Sequence, residues 1–150
     1  MLINEMTTEE CSTVLARAPM ARLGCSFENQ PYVVPIYFAH ESDYIYVFST
    51  FGQKIEQMRA NPKVCVQTDE IQSASEWVSV IVSGRYQELP EPQYTAERKH
   101  ASTLLGKRYH WWLNALAERG MRLGDSLIEP LFFRIYIDSM SGLRATDESI

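Results

Sequence analysis

The chain is predicted to be mainly β with flanking helices, a small antiparallel barrel of six strands. Three observations lead there. Six stretches are β-branched and aromatic, or alternate apolar with polar residues. Hairpin-length turns join most of them, which requires antiparallel pairing. Helical periodicity is confined to the N-terminus, one short stretch in the middle and the interval before the last strand. A length of 150 residues suits one core, and neither a repeat nor a long linker divides it, so residues 1–150 are expected to form a single domain.

Residues 1–20 hold the N-terminal helix. Thr7-Thr8-Glu9-Glu10 reads as a capping box, with Thr7 as cap and Glu10 three residues on. Cys11, Val14, Leu15 and Ala18 follow at i, i+3, i+4 and i+7, one apolar helix face, and Pro19 stops it. Residues 21–89 hold strands one to five. The first is 21–27, residues 28–31 are a turn, and the second strand is 32–39. Pro35 removes a ladder donor inside it, which marks an edge, a bulge or a ligand-facing stretch. Residues 41–43 turn the chain into a third strand, 44–49, apolar on both faces. Such a strand is covered twice, in a barrel wall packed from outside or under a partner subunit.

Phe51-Gly52 breaks the run, and Lys54, Ile55, Met58 and Arg59 make a short helix ended by Asn61-Pro62. Residues 63–67 are the fourth strand and 68–75 a polar loop. Residues 76–88 are the fifth, with Val78, Val80 and Val82 on one face and Trp77, Ser79, Ile81 and Ser83 on the other. Pro90 and Pro92 end it. Residues 93–120 are read as helices, 93–105 and 109–119, the second carrying Trp111 and Trp112. The last strand is 132–138, within the segment 131–139, and residues 140–150 are a loose polar tail.

Composition excludes several functions. Fourteen Lys+Arg against nineteen Asp+Glu give a net charge of −5. A grip on a nucleic-acid backbone needs the opposite excess, so no nucleic-acid partner is expected. No apolar run approaches the roughly 20 residues of a membrane span. Met1-Leu2-Ile3-Asn4-Glu5 has no basic n-region and no long apolar stretch, so no signal peptide is read and the cytoplasm is the expected location. Cys11, Cys25 and Cys65 lie far apart without a CxxC, which reads as three small hydrophobes rather than disulfides or a zinc site. His40, His100 and His110 are not at metal-ligand spacing, and no metal is expected. GxGxxG, GxxxxGK[ST], HExxH and GxSxG are all absent.

Three segments carry polar chemistry. In Ser49-Thr50-Phe51-Gly52-Gln53-Lys54 a strand ends, a glycine frees the backbone and a helix begins. Free N–H groups there favour an anion, and Lys54 in the first turn opposes the helix dipole unless an anion is bound. A surface loop with a solvated lysine would read the same. In Glu76–Arg85, Ser79 between Trp77 and Ile81 offers a hydroxyl to a planar ligand, or simply a strand surface to solvent. In Val34-Pro35-Ile36-Tyr37 the proline frees neighbouring backbone groups, and the tyrosines around it line a flat-ring pocket or a barrel core.

In order and spacing these segments (residues 31–37; Gly52-Gln53-Lys54 with Asn61-Pro62-Lys63-Val64 behind; Trp77-Val78-Ser79-Val80 with Gly84-Arg85) resemble the pyridoxamine 5′-phosphate oxidase-related, FMN-binding split-barrel proteins. The likeness is nearest to their flavin-nucleotide-binding and nitroimidazole-resistance branch. It runs over residues 6–89 and resumes at 132–142.

The resemblance implies a six-stranded antiparallel split β-barrel and a homodimer with FMN at the subunit interface. Ser49, Thr50, Gln53 and Lys54 would meet the phosphate. Backbone of the segment Val34, Pro35, Ile36 and Tyr37 would meet the isoalloxazine ring, Ser79 its polar edge, and Trp77 would flank it. The implied activity is that of an FMN-dependent oxidoreductase on a small organic acceptor. The alternatives are a flavin or haem binding, storage or sensing dimer, and a deazaflavin protein. Haem would require a histidine axial ligand. The second-strand motif carries no base, and Ser141-Gly142-Leu143-Arg144 does not match the oxidases' C-terminal signature, so synthesis of pyridoxal phosphate is not expected.

Overall fold

A computed structural model describes residues 1–49, 52–109, 121–123, 126–128 and 131–147. Its order is β1 (Leu2–Glu5), α1 (Thr8–Arg17), β2 (Ala21–Phe27), β3 (Gln30–Ile36), β4 (Phe38–Glu41), β5 (Tyr44–Ser49), α2 (Gln53–Ala60), β6 (Lys63–Ser73), β7 (Glu76–Glu88), α3 (Thr95–Arg108), β8 (Met121–Leu123), β9 (Ser126–Ile128) and β10 (Leu131–Thr146). One antiparallel sheet runs β3-β2-β6-β7-β10-β5-β4, with β1 added on β10; β8 and β9 pair separately.

The path is open, and its two end strands, β3 and β4, are consecutive in the chain. They meet covalently at Tyr37 rather than through a ladder, which is the split of the barrel. The expected second strand, 32–39, is therefore two strands on opposite ends of the sheet. Pro35 lies on an edge strand, where its missing N–H leaves no ladder bond broken on the open side. With the additional β1, the main sheet has eight strands rather than six.

Local chemistry explains the turns and caps. Thr7 accepts from the Glu10 N–H and the Glu10 carboxylate accepts from the Thr7 N–H, both at 3.1 Å. Between β2 and β3, Glu28 and Asn29 both take positive φ (51° and 63°), the two-residue turn whose twist suits a hairpin. The turn is thus shorter than the expected 28–31, and β3 begins at Gln30.

The main core joins α1, α2 and the inner sheet face through Leu15, Leu23, Phe38, Ile55, Met58 and Phe133. A smaller cluster lies outside the barrel, where Leu105 and Ala101 of α3 cover Tyr46 and Ala39. Hence β5 is covered on both faces within one chain. Ile45 and Val47 face the core, Tyr46 faces α3, and no partner subunit is required there. Cys11 and Cys25 are buried and Cys65 is half-buried, all as free thiols.

The polar stretch 68–75 is mostly strand, because β6 continues to Ser73 against β7. The stretch 140–150 is not a loose tail through Thr146. Residues Leu143–Ala145 pair with β7 on one side and β1 on the other, so their backbone groups are satisfied whatever their side chains are. The first late helix ends at Arg108 rather than 105, and Tyr109 caps it. The rest of the second expected helix, with Trp111 and Trp112, lies outside the described residues.

Candidate functional site

The first candidate group surrounds the start of α2. Ser49 ends β5 and is buried, whereas Thr50 lies outside the described residues. Gly52 is the helix N-cap, in extended backbone with no side-chain cap bond, and open space surrounds the position a Cβ would take. Gln53 is exposed and Lys54 half-buried. Ile55 and Met58, fully buried, fix the helix over the core, and this places Lys54 beside Cys25 on the inner face of β2. Burial pushes the Lys54 amine down from its ordinary pKa, and the nearby Cys25 thiol only partly opposes this. Among the described residues no carboxylate pairs with it. The Ile55 and Glu56 N–H groups both donate to the Gly52 carbonyl, which leaves those of Gln53 and Lys54 without an acceptor among the described residues. A half-desolvated ammonium beside free helix N–H groups can hold a phosphate.

The second group is the split itself. Along β3, Val34 packs on the main core and Ile36 is buried within it, whereas Pro35 points outward. Tyr37 sits in the break, 41% exposed, with its ring edge-on to that of Tyr109 at 5.1 Å.

The third group lies on the outer face of β7. Ser79 Oγ accepts from Gln67 Nε2 (3.2 Å), and the same Nε2 donates to Asp69 (3.0 Å). Arg22 donates to Gln67 Oε1 (3.3 Å) and lies 3.6 Å from Asp69. Arg22 in turn pairs in register with Pro35, so a polar row crosses the sheet from Ser79 to the split. Trp77 borders a 230 Å³ hollow with the Arg17–Glu70 ion pair and Arg144. Arg22, Gln67 and Asp69 were missed from sequence. Their signal was the alternation within 21–27 and 63–69, which turns them all to one face.

The candidates thus divide between faces. Lys54 belongs to the inner side of β2, Ser79 and Trp77 to the outer side of β7. A further outer trough of 530 Å³, floored by Gly24, Cys65 and Ser83 and rimmed by Val33, Lys63 and Arg85, contains none of the expected ligand residues. The described histidines are engaged elsewhere. His40 Nε2 lies 2.9 Å from the Ser42 carbonyl, with burial pushing its pKa down, and His100 Nε2 lies 2.7 Å from Glu41. His110 is outside the described residues. No cluster of metal-binding side chains occurs among the described residues, and no helix among them is long and apolar enough to cross a membrane.

Comparison with known proteins bears on this geometry. The family described as pyridoxamine 5′-phosphate oxidase matches residues 7–144. An uncharacterised protein of Rhizobium meliloti (strain 1021) is 42% identical over 146 residues, 97% of each chain. The crystal structure of a FAD-binding protein from Mesorhizobium loti is 40% identical, with a TM-score of 0.78 over 98% of this chain and 99% of that one. A candidate 5-nitroimidazole antibiotic resistance protein from Bacteroides thetaiotaomicron, 20% identical, shares the fold at a TM-score of 0.68 over 98% of this chain and 93% of that one. Matches over nearly the full length, two of them at 40% identity or more, leave no ambiguity of descent: the chain belongs to the pyridoxamine 5′-phosphate oxidase family.

Proposed function

We propose that the protein binds a flavin nucleotide between two copies of itself and serves as a flavin-dependent oxidoreductase for a small organic acceptor. The observation that carries the reading is Lys54: half-buried, without a carboxylate partner among the described residues, at an open helix start. An unpaired ammonium in that position has a use if it meets a phosphate. Gln53, Ser49 and Thr50 accompany it in sequence. The segment from Val34 to Tyr37 supplies backbone at the split for the ring, and Ser79 supplies a hydroxyl for its polar edge. When bound, the flavin provides one- or two-electron transfer, and the chain binds, orients and shields it.

The division of candidates between two faces supports a dimer, because a second copy can bring its outer β7 face to the first copy's Lys54. The exposed outward side chains Val33, Ile81 and Leu143 support such an interface. The cofactor is read as FMN, and the FAD-binding relative at 40% identity makes FAD the competing nucleotide. The ring contacts of His40 and His100 favour a flavin over a histidine-ligated haem. Three free thiols suit a reducing compartment such as the cytoplasm.

The test is a visible spectrum of the purified protein, with mass spectrometry of what acid releases. Flavin bands with FMN or FAD released support the reading and choose the nucleotide. A Soret band, or failure to take up either added flavin, overturns it. Flavin retained without turnover by any reduced nicotinamide supports a binding or sensing dimer instead.

A further inference from the structure

The split of the barrel leaves one side of β4 without a neighbouring strand, because β4 is the last strand of the path. Phe38 begins it and is completely buried, so its peptide groups need partners from elsewhere. The end of α3 supplies them. The Tyr109 hydroxyl accepts the Phe38 N–H at 3.3 Å, and it lies 3.0 Å from the Phe38 carbonyl and 2.9 Å from that of Pro19. Arg108 Nη1 donates to the Phe38 carbonyl at 3.0 Å, and Nη2 donates to the Ala18 carbonyl.

These two residues therefore tie the β3–β4 break to the linker between α1 and β2. The two sides are one junction, since Ala21 at the start of β2 pairs with Ile36 at the end of β3. Thr68 adds a bond to the Met20 carbonyl at 2.9 Å, so three successive linker carbonyls are held by side chains. The Arg108 guanidinium also lies over the Phe38 ring, 4.9 Å from its centroid, and has no carboxylate partner among the described residues. A planar fork reaches both carbonyls at once, which a lysine ammonium at one point does not. Tyr109 meets the Tyr37 ring edge-on.

We propose that Arg108 and Tyr109 are positioning residues, a latch from the end of α3 that fixes the backbone at the split and so sets flavin affinity. This rests on the flavin reading given above. The variants are Tyr109→Phe, which keeps the ring pair and removes the hydroxyl, Arg108→Gln, Arg108→Lys, and the neighbouring exposed Lys107→Ala as control. Amide hydrogen exchange at Phe38 is measured without flavin, with Val80, which belongs to a separate core cluster, reporting any global loosening. FMN and FAD affinity and the visible band structure are measured on the same proteins.

Phe38 exchange is expected to accelerate in Tyr109→Phe and Arg108→Gln with Val80 unchanged. Flavin dissociation constants are expected to rise about tenfold in both, the scale of a lost hydrogen bond. Arg108→Lys should recover part of the loss and Lys107→Ala should show none. Unchanged exchange at Phe38, or acceleration shared equally by Val80, overturns the latch. Faster exchange at Phe38 with unaltered affinity and bands overturns its link to the flavin. A wild-type protein that takes up neither flavin removes the flavin reading itself, while the exchange at Phe38 still decides whether the latch exists.

Discussion

Lys54 is held where water only half reaches it, and its charge is answered by no carboxylate among the described residues. Lys54→Ala is expected to weaken flavin binding by roughly 1.5–3 kcal/mol, the range for hydrogen bonds to charged groups. Titration of the variant by fluorescence checks this, and unaltered affinity would take Lys54 out of the site. A pH dependence follows from the same residue. Its folded-state pKa is depressed, so the ammonium begins to lose its proton below the ordinary lysine value of 10.5. A bound phosphate favours the protonated form. Affinity should therefore fall as pH rises through that depressed value, a decline that Lys54→Ala abolishes. The apo protein has the opposite slope from this group. The cost of keeping Lys54 charged is present at neutral pH and is relieved as the pH approaches the ordinary lysine value.

The elements were legible where local chemistry alone decides them. The capping box, the helix face of Cys11, Val14 and Leu15, and the alternation of β7 all fold as their residues indicate. They failed where pairing decides. Residues 140–146 lack a strand-like composition, yet they are strand because β7 and β1 flank them. Gly84 shows how close that pairing is. A Cβ there would stand 2.3 Å from the Tyr136 carbonyl and 2.7 Å from Ile135 Cγ2. Gly84→Ala must force β7 from β10, and a loss of about 3 kcal/mol is expected, at the top of the overpacking range. Denaturant midpoints measure it. A loss under about 0.5 kcal/mol, the size of an ordinary surface change, would mean the two strands separate easily.

The whole molecule raises a question that no single residue does, since the candidate ligands lie on two faces of one sheet. A dimer resolves it if the outer face of one copy meets the inner-side Lys54 of the other. Ile81, 45% exposed and set between Gln67 and Ser141 in register, lies on that outer face. Ile81→Lys is expected to leave the fold intact, shift the protein to a monomer and lose flavin together with the partner. Light scattering with flavin titration tests both, and a monomer that still binds flavin tightly would sink the interface site.

What the sequence by itself determined is the class of the molecule: periodicity, caps and turns depend on neighbours a few residues apart, and these made it an antiparallel β domain with a lysine at a helix start. The order of its motifs also pointed to the right family. Tertiary structure decided the rest. Only the curl of the sheet shows that β3 and β4 are opposite ends joined at Tyr37, and that α3 packs on the outer face of β5. It also put Arg108 and Tyr109 on Phe38, some 70 residues back along the chain. Contacts of that separation are set by which strands pair and how the sheet curls, and no local window of sequence records either.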